Sequence, residues 1–209
     1  MINHEYGCDY SMSFRKIDVN DKELLTHFKC EYDAIRDFIQ NKSVESENDV
    51  SYVFIDDENN RIMGFCAICC TGISVTDIDS KGNPYLTSLP SVEIDYFAID
   101  EEYRGKKLDK TSTKYQTLSQ AFFLYILNHI KNISVNCVGA THICLYAVPK
   151  AVSFYKRCGF ENFADYMNPD EIPFLDGCVP MFCLIDKWWN GSPIEIRTFC
   201  SWHLMGDFL

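Results

Sequence analysis

The sequence lacks any run of apolar residues long enough to cross a lipid bilayer, and its first residues lack the basic and apolar regions of a secretory leader. With 209 residues, 47% of them hydrophobic and 23% charged, it has the composition of an ordinary globular protein. The length predicts one domain, with or without appendages. We therefore expect a soluble, cytoplasmic protein with no membrane partner.

A surplus of basic residues is also missing. The chain has 19 Lys and Arg residues against 30 Asp and Glu residues, which gives a formal net charge of −11. A protein that binds nucleic acid needs a cationic face to neutralise phosphate groups, so the composition argues against nucleic acid as the main partner. An acidic protein suits a cationic substrate better.

The sequence has little that predicts a metal centre, although it contains eleven cysteines. Cys66 and Cys69 have the spacing of a zinc knuckle, but no second Cys or His pair has a matching spacing. Several cysteines lie inside apolar, strand-like runs, where a free thiol behaves as a small hydrophobic group. We expect no metal, and reduced cysteines in a cytoplasmic protein.

The most informative stretch is residues 91–160, which read as a βαβα unit. Strand, helix and strand in this order favour a parallel strand pair. A basic turn before the helix would place cationic side chains beside free backbone N–H groups, which favours phosphate binding. The predicted elements are a strand at 91–100, a charged turn at 101–107, a helix at 108–130, a strand at 141–148 and a closing helix at 149–160.

The flanking segments have simpler patterns. Two strands, 50–55 and 61–73, predict an antiparallel hairpin, and 179–185 predicts a late strand. Residues 75–90 contain Gly and Pro and predict a loop on the substrate side. The apolar stripe Ala34, Ile35, Phe38 and Ile39 and the helix residue His129 predict core packing.

The two ends of the chain are expected to differ from the domain between them. Residues 1–11 show no period and predict a flexible arm. Residues 186–209 hold all three tryptophans, at 188, 189 and 202. So aromatic a C-terminal extension is expected to pack back on the domain or to form a subunit contact, for example in a homodimer.

Residues 12–185, and most strongly 91–160, resemble the GNAT superfamily of N-acetyltransferases. The triplet Phe97-Ala98-Ile99 and the following Arg104-Gly105 match the strand and phosphate turn of that family. Its later motif, Ala-x-x-Phe-Tyr-x-x-x-Gly-Phe, is matched at every named position from Ala151 to Phe160. The resemblance implies the α/β GNAT acyltransferase fold, a mixed central sheet of about six or seven strands flanked by helices.

The resemblance also implies acetyl-CoA as the co-substrate, and it carries a set of cofactor positions. Two of these positions differ from the family pattern, because Lys107 and Asp109 replace the two glycines that follow the family's arginine. A third departure is Val148, where the family often has Asn. The implied cofactor-binding residues are Phe97, Ala98, Ile99, Arg104, Gly105, Lys106, Lys107, Leu108, Asp109, Lys110, Ala151 and Phe154.

Acetyl transfer to an amine needs a base for the amine and an acid for the departing thiolate. Tyr155 falls where the family places its general acid. For the base, alternate side chains of a strand share a face, which puts Glu93, Asp95, Phe97 and Ile99 on one face of this strand. Burial and mutual repulsion there would raise the pKa of a carboxyl group. Glu93 is the first candidate base and Asp95 the second, with exposed or paired carboxylates as the alternative.

Two further matches are similar to GNAT-type toxins: Phe28-x-Cys30, followed here by Glu31 instead of Gly, and Pro180-Met181-Phe182. Three functions therefore remain open. The first is an N-acetyltransferase acting on a primary amine of a small molecule or a protein. The others are a toxin-type enzyme that acetylates aminoacyl-tRNA and a binding module that has lost the cofactor.

Overall fold

A computed structural model of the protein describes residues 10–108, 117–167 and 177–186. Its centre is a seven-stranded mixed sheet of order β1-β2-β3-β4-β5-β7-β6, which confirms the predicted fold class. The strands are β1 Met12–Lys16, β2 Val50–Asp56, β3 Arg61–Ile78, β4 Pro84–Ile99, β5 His142–Ala147, β6 Glu161–Asn162 and β7 Val179–Leu184. The α-helices are α1 Lys22–Thr26, α2 Asp33–Asp37, α3 Leu118–Ile133 and α4 Val152–Arg157.

The predicted parallel pair is present, because β4 and β5 run in parallel with Ser91 opposite His142 and Glu93 opposite Cys144. The strands β1 to β4 pair with one another in antiparallel fashion, as does β7 with β5. The connection from β4 to β5 passes through α3, as a parallel pair requires. The carboxyl ends of β4 and β5 therefore lie at the same edge of the sheet.

The predicted loop at 75–90 is wrong, since these residues extend the β3–β4 hairpin. Pairing continues without interruption from Thr71 opposite Ser91 to Ile78 opposite Pro84. The tight turn is confined to 79–83, where the Asp79 carboxylate accepts hydrogen bonds from the backbone N–H groups of Lys81 and Asn83. Gly and Pro residues occur at this turn, as they do in many turns. The strands on either side of it nevertheless continue through most of the predicted loop.

The long helix begins at Leu118, so the predicted start at residue 108 is wrong. Thr117 caps α3, since its hydroxyl accepts from the Gln120 N–H while the Gln120 side chain accepts from the Thr117 N–H. Lys107 forms an isolated antiparallel bridge with Thr117, and Leu108 packs against the core outside any helix. Residues 109–116, which include the predicted sites Asp109 and Lys110, lie outside the described residues.

The two faces of the sheet are covered by different helices. On one face, α3 and α4 enclose the larger core, in which Phe54 and Phe122 stack at 4.0 Å between ring centroids. On the other face, α1 and α2 cover a smaller core that contains Phe38 and Ile39. Ala34 was predicted in that core but is exposed, because α2 is short and passes directly into a π-helical turn at Phe38–Lys42.

Little of the two predicted terminal segments is described. Tyr10 packs edge-on against Tyr103, with 6.3 Å between ring centroids, and the Ser11 carbonyl accepts from the Asp57 N–H. Residues 1–9 and the aromatic stretch 187–209 lie outside the described part of the chain. Among the described residues, no helix combines the length and apolar character that crossing a bilayer requires.

Candidate active site

The strands β4 and β5 separate to form a wedge. Their pairing covers Ser91–Glu93 and His142–Cys144, after which β4 runs on to Ile99 and β5 to Ala147. We call the opening between Ile94–Ile99 and Leu145–Ala147 the wedge, and Glu93 lies at its closed end. Along the wedge, the facing backbone groups of the two strands are free of strand pairing within the described structure, so an extended ligand with amide groups can pair there.

Aromatic rings from the helices line one side of the wedge. Phe97 on β4 lies 5.1 Å from Phe123 and 6.3 Å from Phe154, between ring centroids. Tyr155 is buried against Phe123, at 5.2 Å, and burial raises the pKa of its hydroxyl. Tyr155 therefore keeps its proton at neutral pH.

The predicted single face for Glu93, Asp95, Phe97 and Ile99 is wrong, because β4 contains a bulge. Ala67 pairs with Tyr96 and Ile68 pairs with Ile94, which leaves Asp95 as the extra residue. The side chains on either side of the bulge are consequently out of phase. Ile94 joins Phe97 and Ile99 in the α3 core, whereas Tyr96 and Ala98 face α2.

Glu93 thus points to the face opposite Phe97, and this is also the side away from α4. Its neighbours in register are Cys69 on β3 and Cys144 on β5. On the same face, Tyr96 stacks on Phe38, the first residue of the π-helical turn after α2, with 3.9 Å between ring centroids. Glu93 and Tyr155 therefore lie on opposite faces of the sheet.

Glu93 belongs to an acidic group with Asp95 and Asp49. Burial, then repulsion from Asp95 and Asp49, raises the pKa of Glu93 to about 7, and a hydrogen bond with Thr71 opposes the rise. Restricted hydration and repulsion from Asp49 raise the pKa of Asp95 to about 6. Asp95 is nevertheless exposed, so solvent screens it and we give Glu93 the greater weight as a base.

The turn after β4 is organised by Asp100, which is 1% exposed. Its side chain accepts from the backbone N–H groups of Glu102 and Lys29, at 2.9 and 2.7 Å, and its carbonyl accepts from the N–H groups of Tyr103 and Arg104. The Lys106 N–H is bonded to the Tyr103 carbonyl. Two of the amides predicted to hold phosphate, those of Arg104 and Lys106, are therefore already hydrogen-bonded within the turn.

The cationic side chains of this turn have separate partners. Arg104 donates to Glu31 at 3.1 Å, and the Lys106 ammonium lies 4.8 Å from the centre of the Tyr103 ring. Gly105 has a φ of +73°, a left-handed conformation that suits glycine. Lys107 is exposed beside Thr117.

The structure thus gathers most of the predicted site residues around the wedge. Phe97, Ile99, Phe154, Tyr155 and Ala151 contribute to the α3–α4 side, and Ala98 is buried in the opposite core. Sequence reasoning missed residues that reach the site from distant parts of the chain, because no local pattern signals them. They are Asp49, Cys69, Thr71, Cys144 and Lys150.

Metal-binding geometry is not seen in the described part of the chain, where no group of three or more His, Cys, Asp or Glu residues could hold an ion. The described cysteines are free thiols. Burial, with repulsion from Glu93 next, raises the pKa of Cys69 to about 12. Cys69 is therefore a neutral thiol beside Glu93 at physiological pH.

Comparison with solved structures identifies the fold. A structure described as a bacterial toxin superposes with a TM-score of 0.62 at 18% identity, covering 86% of this chain and 94% of that one. A mutant AtaT toxin bound to the C-terminus of the antitoxin AtaR and acetyl-CoA gives 0.61 at 15% identity, with 85% and 95% covered. AtaT complexed with acetyl-methionyl-tRNAfMet gives 0.61 at 19% identity, with 85% and 96% covered.

The chain has the GNAT fold. At the level of fold, this confirms the resemblance seen in the sequence. No protein-family model matches the sequence, and no curated protein matches it. In this GNAT fold the wedge and its two opposed side chains, Glu93 and Tyr155, form the candidate active site.

Proposed function

We propose that the protein is an N-acetyltransferase that moves an acetyl group from acetyl-CoA to a positively charged primary amine. The observation that carries this proposal is the wedge between β4 and β5, with a carboxylate of raised pKa at its closed end and a buried tyrosine on the opposite face. The complex of a neighbour of the same fold with acetyl-CoA supports it.

The residues present fit acetyl-CoA. The unpaired backbone of the wedge suits the amide-bearing pantetheine arm, and Phe97 and Phe154 give it an apolar wall. At the open end, Arg104, Lys106 and Lys107 are exposed cations that suit its phosphates. The cofactor supplies the acetyl group as an activated thioester.

Glu93 accepts a proton from the incoming ammonium group, which frees the nitrogen lone pair for attack on the thioester carbonyl. With a pKa of about 7, Glu93 is ionised in part at neutral pH and is a stronger base than an ordinary carboxylate. As the C–N bond forms and the C–S bond breaks, Tyr155 donates its proton toward the departing sulfur, and the attacking nitrogen loses its second proton to water. The proton on Glu93 and that lost from Tyr155 are then exchanged with water.

The acidic group favours a cationic acceptor. Asp49, Glu93 and Asp95 together attract an ammonium group and repel a phosphate backbone. The net charge of −11 acts in the same direction. These charges favour an amine of a small molecule or a protein over aminoacyl-tRNA.

The test is isothermal titration with acetyl-CoA, followed by an acetyl-transfer assay on a panel of amines. We expect micromolar binding, and turnover that falls by about two orders of magnitude in Glu93→Gln and in Tyr155→Phe, the range typical of lost acid–base catalysis. Both variants should bind acetyl-CoA as the wild type does. If the protein does not bind acetyl-CoA, the third function named above is favoured, that of a binding module that has lost the cofactor.

A second candidate function is acetylation of aminoacyl-tRNA by a toxin paired with an antitoxin. The specific observation in its favour is that the solved neighbours of the same fold include a toxin with its antitoxin and with acetyl-methionyl-tRNA. Induced expression in a bacterial host separates the two candidates. Growth arrest that Tyr155→Phe relieves would support the toxin, and normal growth would reject it.

A further inference from the structure

Glu31 is fixed beside the open end of the wedge by buried neighbours. Phe28 and Cys30 are 1% and 4% exposed, and the backbone between them is tied to the turn after β4. The Lys29 N–H donates to Asp100, and the Lys29 carbonyl accepts from the Glu101 N–H at 3.1 Å. The backbone that carries Glu31 therefore has a defined position, although the Glu31 side chain is itself 42% exposed.

The Glu31 carboxylate joins two cations that come from the two edges of the wedge. One oxygen accepts from Arg104, in the turn after β4, at 3.1 Å, and the other accepts from Lys150, just after β5, at 2.5 Å. We call Arg104 and Lys150 the clamp. Because β4 and β5 are parallel, their carboxyl ends bring the clamp residues to the same edge.

A carboxylate held by two cationic donors occupies the same kind of site that a phosphate group would. The alternative phosphate ligands in this turn are partly engaged, since the N–H groups of Arg104 and Lys106 are bonded to carbonyl groups of the protein. Lys107 and Asp109 also replace the two glycines that would expose further amides. A pair of cationic side chains at this edge of the sheet is therefore a suitable phosphate ligand.

We propose that Arg104 and Lys150 form the phosphate clamp of the acyl-CoA site, and that Glu31 is its internal occupant, which the cofactor's phosphates displace. This inference rests on the proposed function, because it concerns the cofactor of that reaction. Cofactor affinity is then set by competition between the carboxylate and the phosphates. Glu31 makes that affinity weaker than the clamp alone would give.

The decisive variant is Glu31→Gln, tested by isothermal titration with CoA at constant ionic strength. Exposed ion pairs are individually weak, so release of two of them should tighten CoA binding about three- to tenfold. Glu102→Gln is a matched control, since Glu102 is an exposed carboxylate of the same turn that pairs with Arg61 and not with the clamp. It should change the dissociation constant less than twofold.

Two further measurements identify the clamp. Lys150→Ala should weaken CoA binding. The loss should be larger when it is made in the Glu31→Gln protein, because in that protein the Lys150 ammonium is free to bind phosphate. S-acetylpantetheine lacks phosphate groups, so its affinity should be the same for wild type and Glu31→Gln. An unchanged or weaker affinity of Glu31→Gln for CoA, or an equal gain in Glu102→Gln, would overturn the inference.

Inorganic pyrophosphate separates this inference from the proposed function. If wild type and Glu31→Gln both fail to bind CoA and S-acetylpantetheine, the proposed acetyltransferase is wrong. If Glu31→Gln nevertheless binds pyrophosphate more tightly than wild type does, Glu31 competes with phosphate groups for the clamp, and the inference holds. Equal or undetectable pyrophosphate binding by both proteins in that case would reject the clamp as well.

Discussion

Replacing Glu93 by Gln is expected to stabilise the folded protein at alkaline pH. The pKa of this carboxyl is about 7 in the fold against an ordinary value of 4.5, mainly because it is partly buried. Folding therefore favours the protonated form. The raised pKa corresponds to about 3 kcal/mol of destabilisation once Glu93 is fully ionised, at 1.36 kcal/mol per pKa unit.

The sign of the effect follows from the direction of the shift. Because the pKa is raised on folding, the wild type is unaffected below pH 4.5, loses stability progressively as the pH rises from 4.5 to about 7, and loses no more above that range. Glutamine is neutral at every pH and close in shape to the protonated acid. Wild type and variant should have similar free energies of unfolding at pH 5, and the variant should be more stable at pH 8.5.

The assay is urea denaturation at these two pH values, with Glu45→Gln as the control. Glu45 is exposed and pairs with Lys22, which lowers its pKa, so its replacement should bring no gain at alkaline pH. A difference between wild type and Glu93→Gln that does not change with pH would refute the assignment of a raised pKa. So would destabilisation by Glu93→Gln at pH 8.5.

Three other changes test packing and capping. Burial lowers the pKa of His129, whose Nε2 atom has no hydrogen-bond partner among the described residues. The free energy of unfolding should therefore fall as the pH drops below 6.5. His129→Phe should reduce this pH dependence, measured by urea titration at pH 5 and 7. Thr117→Ala removes the cap of α3 and should cost about 1 kcal/mol, measured by thermal melting. Gly64→Ala would place its Cβ 2.9 Å from a ring carbon of Phe122, so it should destabilise the fold by about 1–3 kcal/mol in the same melts. An unchanged melting temperature would show that the Phe122 ring moves aside.

Local patterns located most of the elements and part of the site. The motif spacing around Tyr155 and the apolar run of β5 depend on neighbours a few residues away, so the sequence predicted both, and the parallel pair followed from the order of the elements. The helix start was misplaced because a charged turn resembles a helix N-terminus. The Thr117–Gln120 capping box was the signal that would have located it.

The sequence by itself determined the order of the main strands and helices, the GNAT resemblance and the place of Tyr155 in the helix after β5, because these follow from residue type and short-range periodicity. Only the tertiary structure decided which face Glu93 occupies, since one extra residue at Asp95 reverses the alternation of a strand and carries no distinct sequence signal. It also decided the partners of Glu31, which are 73 and 119 residues away in the chain. Contacts over such separations are fixed by strand register and by the packing of loops against the sheet, and neither is encoded in any local pattern.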